Sequence, residues 1–85
     1  MFYFLLVRNF TRKFMSMQKL EEGKQLYNNQ KFEEAIDVLT AFLNEYPNHA
    51  DGFFYRGICY RKLDRFNESI TDFNAILTKL PDEPT

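Results

Sequence analysis

Apolar residues along this chain recur at steps of three and four, with polar residues between them. Leu20, Gly23, Leu26 and Tyr27 form one series, and Phe32, Ala35, Ile36, Leu39, Phe42 and Leu43 form the next. That spacing returns to one side of a helix every turn, whereas a strand would alternate. Asn28, Asn29, Gln30 and Lys31 interrupt the first run with residues that suit a tight turn between helices, and Leu63, Asp64 and Arg65 do the same further on. Pro47 and Pro81 each close a helix, because proline lacks an amide and pushes the preceding residue out of helical geometry. The pattern predicts helices near 17–29, 33–45, 51–63 and 67–80, an all-α chain.

The pattern also repeats. Gly23 recurs as Gly57, Phe32 as Phe66, Ile36 as Ile70 and Pro47 as Pro81, each 34 residues later. Leu26 and Tyr60, Glu34 and Glu68, Ala35 and Ser69, Leu39 and Phe73, and Leu43 and Leu77 keep the same register without a gap. A unit of this length cannot bury its own apolar face, so neighbouring units must stack. Glycine inside a helix costs about 1 kcal/mol against alanine. Close helix approach accounts for Gly23 and Gly57, with Ala35 and Ser69 as small partners and Phe32 and Phe66 filling the wider end.

The period and its anchors resemble the tetratricopeptide repeat, a 34-residue helix-turn-helix unit. The resemblance covers two copies, 16–49 and 50–84, about four-fifths of the chain. The first carries Gly23, Leu26, Phe32, Ala35, Leu39 and Pro47 at the family's anchor positions. The second carries Phe53 in place of the frequent tryptophan, then Gly57, Tyr60, Phe66, Ser69, Phe73 and Pro81. Lys19 and Glu22 depart from the usual apolar residues and Phe42 from a small one, which predicts a loosely specified opening helix in the first repeat. The resemblance implies a right-handed α-α superhelix, or solenoid, of two repeats after an N-terminal segment over 1–15.

Composition narrows the chemistry. With 85 residues this is one small domain with a thin core. Residues 1–19 carry Arg8, Arg12, Lys13 and Lys19 with no acid, while the remainder is acidic, so the repeats do not look like a nucleic-acid binder. Cys59 is the only cysteine, which excludes an intrachain disulfide and fits a reducing compartment; packing beside a neighbouring helix is its expected role. His49 is the only histidine and follows Pro47 in a linker, where a solvated or capping role is expected and no second histidine completes a metal pair. Glu21 with Glu22, Glu33 with Glu34 and Asp82 with Glu83 are sequence neighbours, which point apart on a helix or lie in the tail. No phosphate loop, nucleophile elbow or zinc spacing occurs, so neither an enzyme nor a cofactor is expected. Asn9-Phe10-Thr11 and Asn67-Glu68-Ser69 match the glycosylation triplet, which is common by chance.

The first 15 residues admit several readings. Tyr3, Val7, Phe10, Phe14 and Met17 fall on one helix face, with Arg8, Arg12 and Ser16 on others. The apolar run Phe2 to Val7 is far below the roughly 20 residues of a membrane span, and its charges follow the run, unlike a secretory signal. A basic, acid-free amphipathic start resembles a mitochondrial presequence. It could equally be an extra helix packed on the first repeat, or Met15 or Met17 could be the true start. The expected location is intracellular: the cytoplasm, or the mitochondrion if 1–14 act as a targeting segment.

What remains is protein binding. In the family the first helix of each repeat lines a concave groove that holds a peptide or partner helix. Resemblance places Met17, Leu20, Glu21, Lys24, Tyr27 and Asn28 there, followed by Asp51, Phe54, Tyr55, Ile58, Arg61 and Lys62. Phe54 and Tyr55 are the expected anchors, and Lys24, Arg61 and Lys62 the expected partners of acidic groups; the competing reading has Phe54 and Ile58 simply touching an adjacent helix. The family's chaperone-gripping clamp is disfavoured, with Leu20 in place of its first lysine, Lys24 and Tyr55 in place of two asparagines, and no third repeat. Phe73, Ile76, Leu77 and Leu80 of the last helix form an apolar surface that the tail from Pro81 cannot cover. Phe73, Ile76 and Leu80 are therefore expected to meet a partner, another copy, or further sequence. The expected function is a protein-protein interaction module, an adaptor or small scaffold subunit; the alternative is a structural subunit of a mitochondrial complex held by the basic N-terminus.

Overall fold

The computed structural model describes the backbone of residues 2–79 and the side chains of residues 14–78. Four helices follow in order, α1 (Phe2–Asn28), α2 (Phe32–Glu45), α3 (Ala50–Lys62) and α4 (Phe66–Lys79), with no strand among the described residues. Each helix packs on the next; α1 also touches α3, while α2 and α4 do not touch. Two helical hairpins therefore stack side by side, with α1 against α3 and α2 against α3.

The three later helices begin and end within a residue of the sequence expectation. The first does not: α1 runs unbroken from Phe2, so the expected separate segment and opening helix are one element. Residues 2–16 contain neither proline nor glycine, so nothing local stops a helix there.

Both hairpin turns use the same device. Lys31 N donates to Leu26 O at 2.8 Å and Gln30 N to Tyr27 O at 2.9 Å, with Gln30 at φ 65°. Thirty-four residues on, Arg65 N donates to Tyr60 O at 2.8 Å and Asp64 N to Arg61 O at 3.0 Å, with Asp64 at φ 62°. This left-handed helix stop satisfies two orphan carbonyls, here without the usual glycine.

Leu20, Ala35, Ile36, Leu39, Phe42, Leu43, Phe53 and Cys59 form the buried core. A Cβ on Gly23 would lie 2.5 Å from Leu39 Cδ2, and one on Gly57 2.8 Å from Phe73 Cε1. The glycines therefore admit Leu39 and Phe73, with Ala35 and Ser69 buried alongside. Phe32 packs against the core, but Phe66 is exposed and fills no wide end. Phe32 has its neighbour Tyr27, with ring centroids 5.9 Å apart, and the second helix of repeat two lies at the rim of the stack.

Polar groups also tie the layers together. Arg56 on α3 donates from Nε and Nη2 to both oxygens of buried Asp72 on α4, and from Nη1 to Thr40 Oγ1 on α2 at 3.1 Å. Its guanidinium lies 5.9 Å from the Phe53 ring centre and 5.8 Å from that of Tyr60. At the end of α2, Glu45 accepts a hydrogen bond from Ser16 and lies 3.7 Å from Lys19 Nζ. Lys19, a departure from the family pattern, thus joins α1 to α2.

Candidate functional site

A cluster of aromatic and charged side chains forms where α1 and α3 meet. Lys24 leaves α1 with its ammonium 3.9 Å from Asp51 on α3, 3.9 Å from Glu21 on its own helix, and 5.4 Å above the Tyr55 ring. Tyr27 meets Tyr55 edge to face at 5.8 Å, a geometry that sets the ring edge against the π-face. Phe54 stands exposed beside them, 5.4 Å from Tyr55 and 6.3 Å from Phe73.

Below this cluster, at the first hairpin turn, Tyr27, Asn28, Gln30, Phe32 and Lys62 line an open pocket of about 470 Å³. Three of the expected groove residues thus share one concavity, Tyr27, Asn28 and Lys62, and three form one stacked contact, Lys24, Tyr27 and Tyr55. Arg61 is exposed but does not line the pocket. Leu20 is buried in the core and is not open to a partner, since its helix turns that position toward α2. Met17 is exposed on α1, and Ile58 is half-buried on α3.

The last helix differs from expectation. Phe73 packs on Gly57 and Phe54, and Ile76 packs against the core, so both are half-buried within their own hairpin. Leu80 lies outside the described residues. The open apolar side of α4 is Leu77, which the sequence already placed on the uncovered surface, together with Phe66 and Ile70, which it did not. These recur at steps of four and seven, one stripe around the helix from Phe73 and Ile76. The 34-residue counterparts of Phe66 and Ile70 marked those two as core, and the position of α4 at the end of the described stack exposes them.

Cys59 and His49 are both engaged in packing. Cys59 is buried, and burial pushes its thiol up to about 11, which keeps it protonated and unreactive. His49 precedes α3 without a side-chain cap bond; its ring is instead edge-on to Phe42 at 4.9 Å. Among the described residues no group of His, Cys, Asp or Glu could hold a metal ion. No helix among them is long and apolar enough to cross a membrane. At the second turn Arg65 grips Glu68 with Nη2 at 2.6 Å, which holds the Glu68 carboxyl below its ordinary range and raises the guanidinium. Sequence reasoning missed the Arg56 and Asp72 pair, although both break the repeat at once: Glu22 and Val38 stand at the equivalent places.

Comparison with known proteins agrees with this architecture. The chain is 31% identical over 59 residues to the SGT1 homolog of Dictyostelium discoideum, covering 69% of this chain and 15% of that protein. It is 26% identical over 50 residues to a TPR repeat-containing protein of Methanocaldococcus jannaschii, covering 59% of this chain and 16% of that one. The chain thus spans less than a fifth of the length of the curated relatives it matches. No solved structure matches it. The tetratricopeptide repeat model matches residues 15–49 and 51–83, one hairpin each. Two hairpins in a single register, each with its glycine facing the same position of the second helix, together with that match, make this chain a member of the tetratricopeptide repeat family.

Proposed function

We propose that the chain is a protein-interaction module without chemistry of its own, an adaptor or small scaffold subunit built from repeats over 16–49 and 50–84. It receives a peptide or helix of a partner along the α1 and α3 face, and the last helix offers a second contact. The observation that carries this reading is the Lys24, Tyr27 and Tyr55 cluster. It sets two aromatic rings and a cation side by side at the junction of the two inner helices, next to an open pocket. Rings of this kind give large contact area at low entropy cost. Lys24 already has two acidic neighbours, so Lys62 and Arg61 are the cations best placed to meet an acidic partner group.

The test is a selection of peptides from a displayed library against the intact chain, followed by binding to the Tyr55→Ala and Lys62→Ala variants. The expected result is at least a tenfold loss with Tyr55→Ala. Selected peptides that bind both variants as well as the parent would overturn the concave-face reading.

A second reading rests on α1. Its helix continues to Phe2 through Arg8, Arg12 and Lys13, and Phe14 and Met15 are exposed where it emerges from the repeats. This supports targeting or anchoring of a subunit in a mitochondrial complex. Deleting residues 1–14 separates the readings: an adaptor keeps its location and its partner, whereas an anchored subunit loses its location.

A further inference from the structure

Residues 2–15 of α1 differ from the repeats in charge and in placement. Every charge they carry is positive, at Arg8, Arg12 and Lys13, whereas the chain from Leu20 onward is acidic. Among the side chains described, the first that α1 buries is Ser16, against Glu45, and one turn later comes Leu20 in the core. Phe14 and Met17 sit about a third of the way around the helix from that pair, and they are 54% and 39% exposed. They complete the series Tyr3, Val7, Phe10, Phe14 and Met17, which steps by four and three along the helical backbone, with Arg8 and Arg12 at positions on the opposite side. From Phe2 to Val7 the sequence is apolar without interruption, and six successive positions circle a helix completely, so that stretch has no polar side.

We infer that residues 2–17 of α1 bind the surface of an anionic lipid bilayer, with the apolar series entering the interface and Arg8, Arg12 and Lys13 meeting headgroup phosphates. The inference deepens the reading of α1 as an anchor and rests on it; the concave-face reading is independent of it. The contact is with the surface, because no helix among the described residues is long and apolar enough to cross a membrane. A second α1 is a poor occupant. The next positions of the series are Glu21 and Lys24, and Lys24 is already held by Asp51 and Tyr55, so the seam is two heptads long, short of the three or four that sustain a coiled coil. Two copies would also bring together segments of like charge. A single partner helix covers one stripe and leaves the rest of Phe2 to Val7 in water, whereas a bilayer surrounds what enters it. The acidic repeats are repelled by the same surface, which confines the contact to the basic segment.

The test is flotation of the full chain with vesicles of phosphatidylserine and phosphatidylcholine in equal parts, beside vesicles of phosphatidylcholine alone. Binding to the anionic vesicles is expected to be at least tenfold tighter than to the neutral ones and to weaken as salt is raised. A variant with Arg8→Gln, Arg12→Gln and Lys13→Gln is expected to lose at least tenfold on the anionic vesicles, and so is one with Val7→Asn and Phe10→Asn. All five positions precede the repeats over 16–84, and circular dichroism checks that both variants keep their helices. Absence of binding, equal binding to the two compositions, or parent-like affinity of either variant overturns the inference. Sedimentation without vesicles adds one more outcome: a dimer abolished by Val7→Asn with Phe10→Asn would make a second α1 the occupant and overturn the lipid assignment. Vesicle binding is read on the purified chain, so its failure is told apart from failure of the mitochondrial reading, which the location of the chain lacking residues 1–14 decides.

Discussion

Arg56 and Asp72 form a two-point pair across the second hairpin, Nε to Oδ2 at 2.8 Å and Nη2 to Oδ1 at 2.7 Å, with the carboxylate almost wholly buried. The Asp72 hydrogen bond raises the guanidinium further above its ordinary range, against the opposing effect of burial. Removing one partner leaves the other charge shielded and unpaired. We expect Asp72→Ala to lower unfolding free energy by about 3 kcal/mol in urea titration. The double variant Arg56→Met with Asp72→Leu should recover most of that loss. Equal losses in the single and double variants would show that shape, not charge, sets the effect.

The glycines predict an asymmetry. Alanine ordinarily favours a helix over glycine by about 1 kcal/mol. At Gly23 the added methyl would meet Leu39 at Cδ2 and at Cγ, 2.6 Å away, and Leu39 is fully buried with nowhere to move. At Gly57 it would meet the rim of the Phe73 ring, which is half-buried at the end of the stack. Gly23→Ala should destabilise by about 2 kcal/mol and Gly57→Ala by less than half as much. Thermal unfolding of both variants checks the order.

The two turns hold non-glycine residues in left-handed geometry, at a cost of about 1 kcal/mol each. Gln30→Gly and Asp64→Gly should each stabilise by about 0.5 kcal/mol, the strain relieved minus the extra freedom gained by the unfolded chain. A loss of stability in chemical denaturation would count against the helix-stop assignment.

Cys59 predicts a pH dependence. The folded state keeps this proton up to about 11, against an ordinary value of 9.0. Unfolding therefore releases it above roughly pH 8.5, so its contribution is intact at neutral pH and falls as pH rises toward the folded value. The difference amounts to about 2 kcal/mol between pH 8 and 10.5. Urea midpoints of the parent should fall more steeply over that window than those of Cys59→Ala, and parallel curves would refute the prediction.

What could be read from the residues was whatever local chemistry decides. Pro47 and the polar turns bounded α2, α3 and α4, and Gly23 and Gly57 announced close packing because nothing else justifies glycine there. The length of α1 escaped because an absence of breakers is a weaker signal than a breaker. Arg56 and Asp72 escaped because charged residues 16 apart look like solvated faces until a tertiary fold brings them together. Within the site, Tyr27 and Tyr55 were legible from register, but Leu20 fell inward, and the exposed side of α4 depended on where the stack ends. No side-chain pattern of one helix encodes that position.

The continuity of α1 has a geometric consequence. At 1.5 Å per residue its 27 residues measure about 40 Å, against about 21 Å for the 14 of α2. Ser16 and Lys19 already meet the end of α2 at Glu45, so the residues before them form a boom reaching past the paired helices. A flexible tether would fix only how far a tip can wander. A helix continuous with the repeats fixes its bearing as well, so whatever engages Arg8, Arg12 and Lys13 also sets the compass direction in which the hollow beside Tyr27 points.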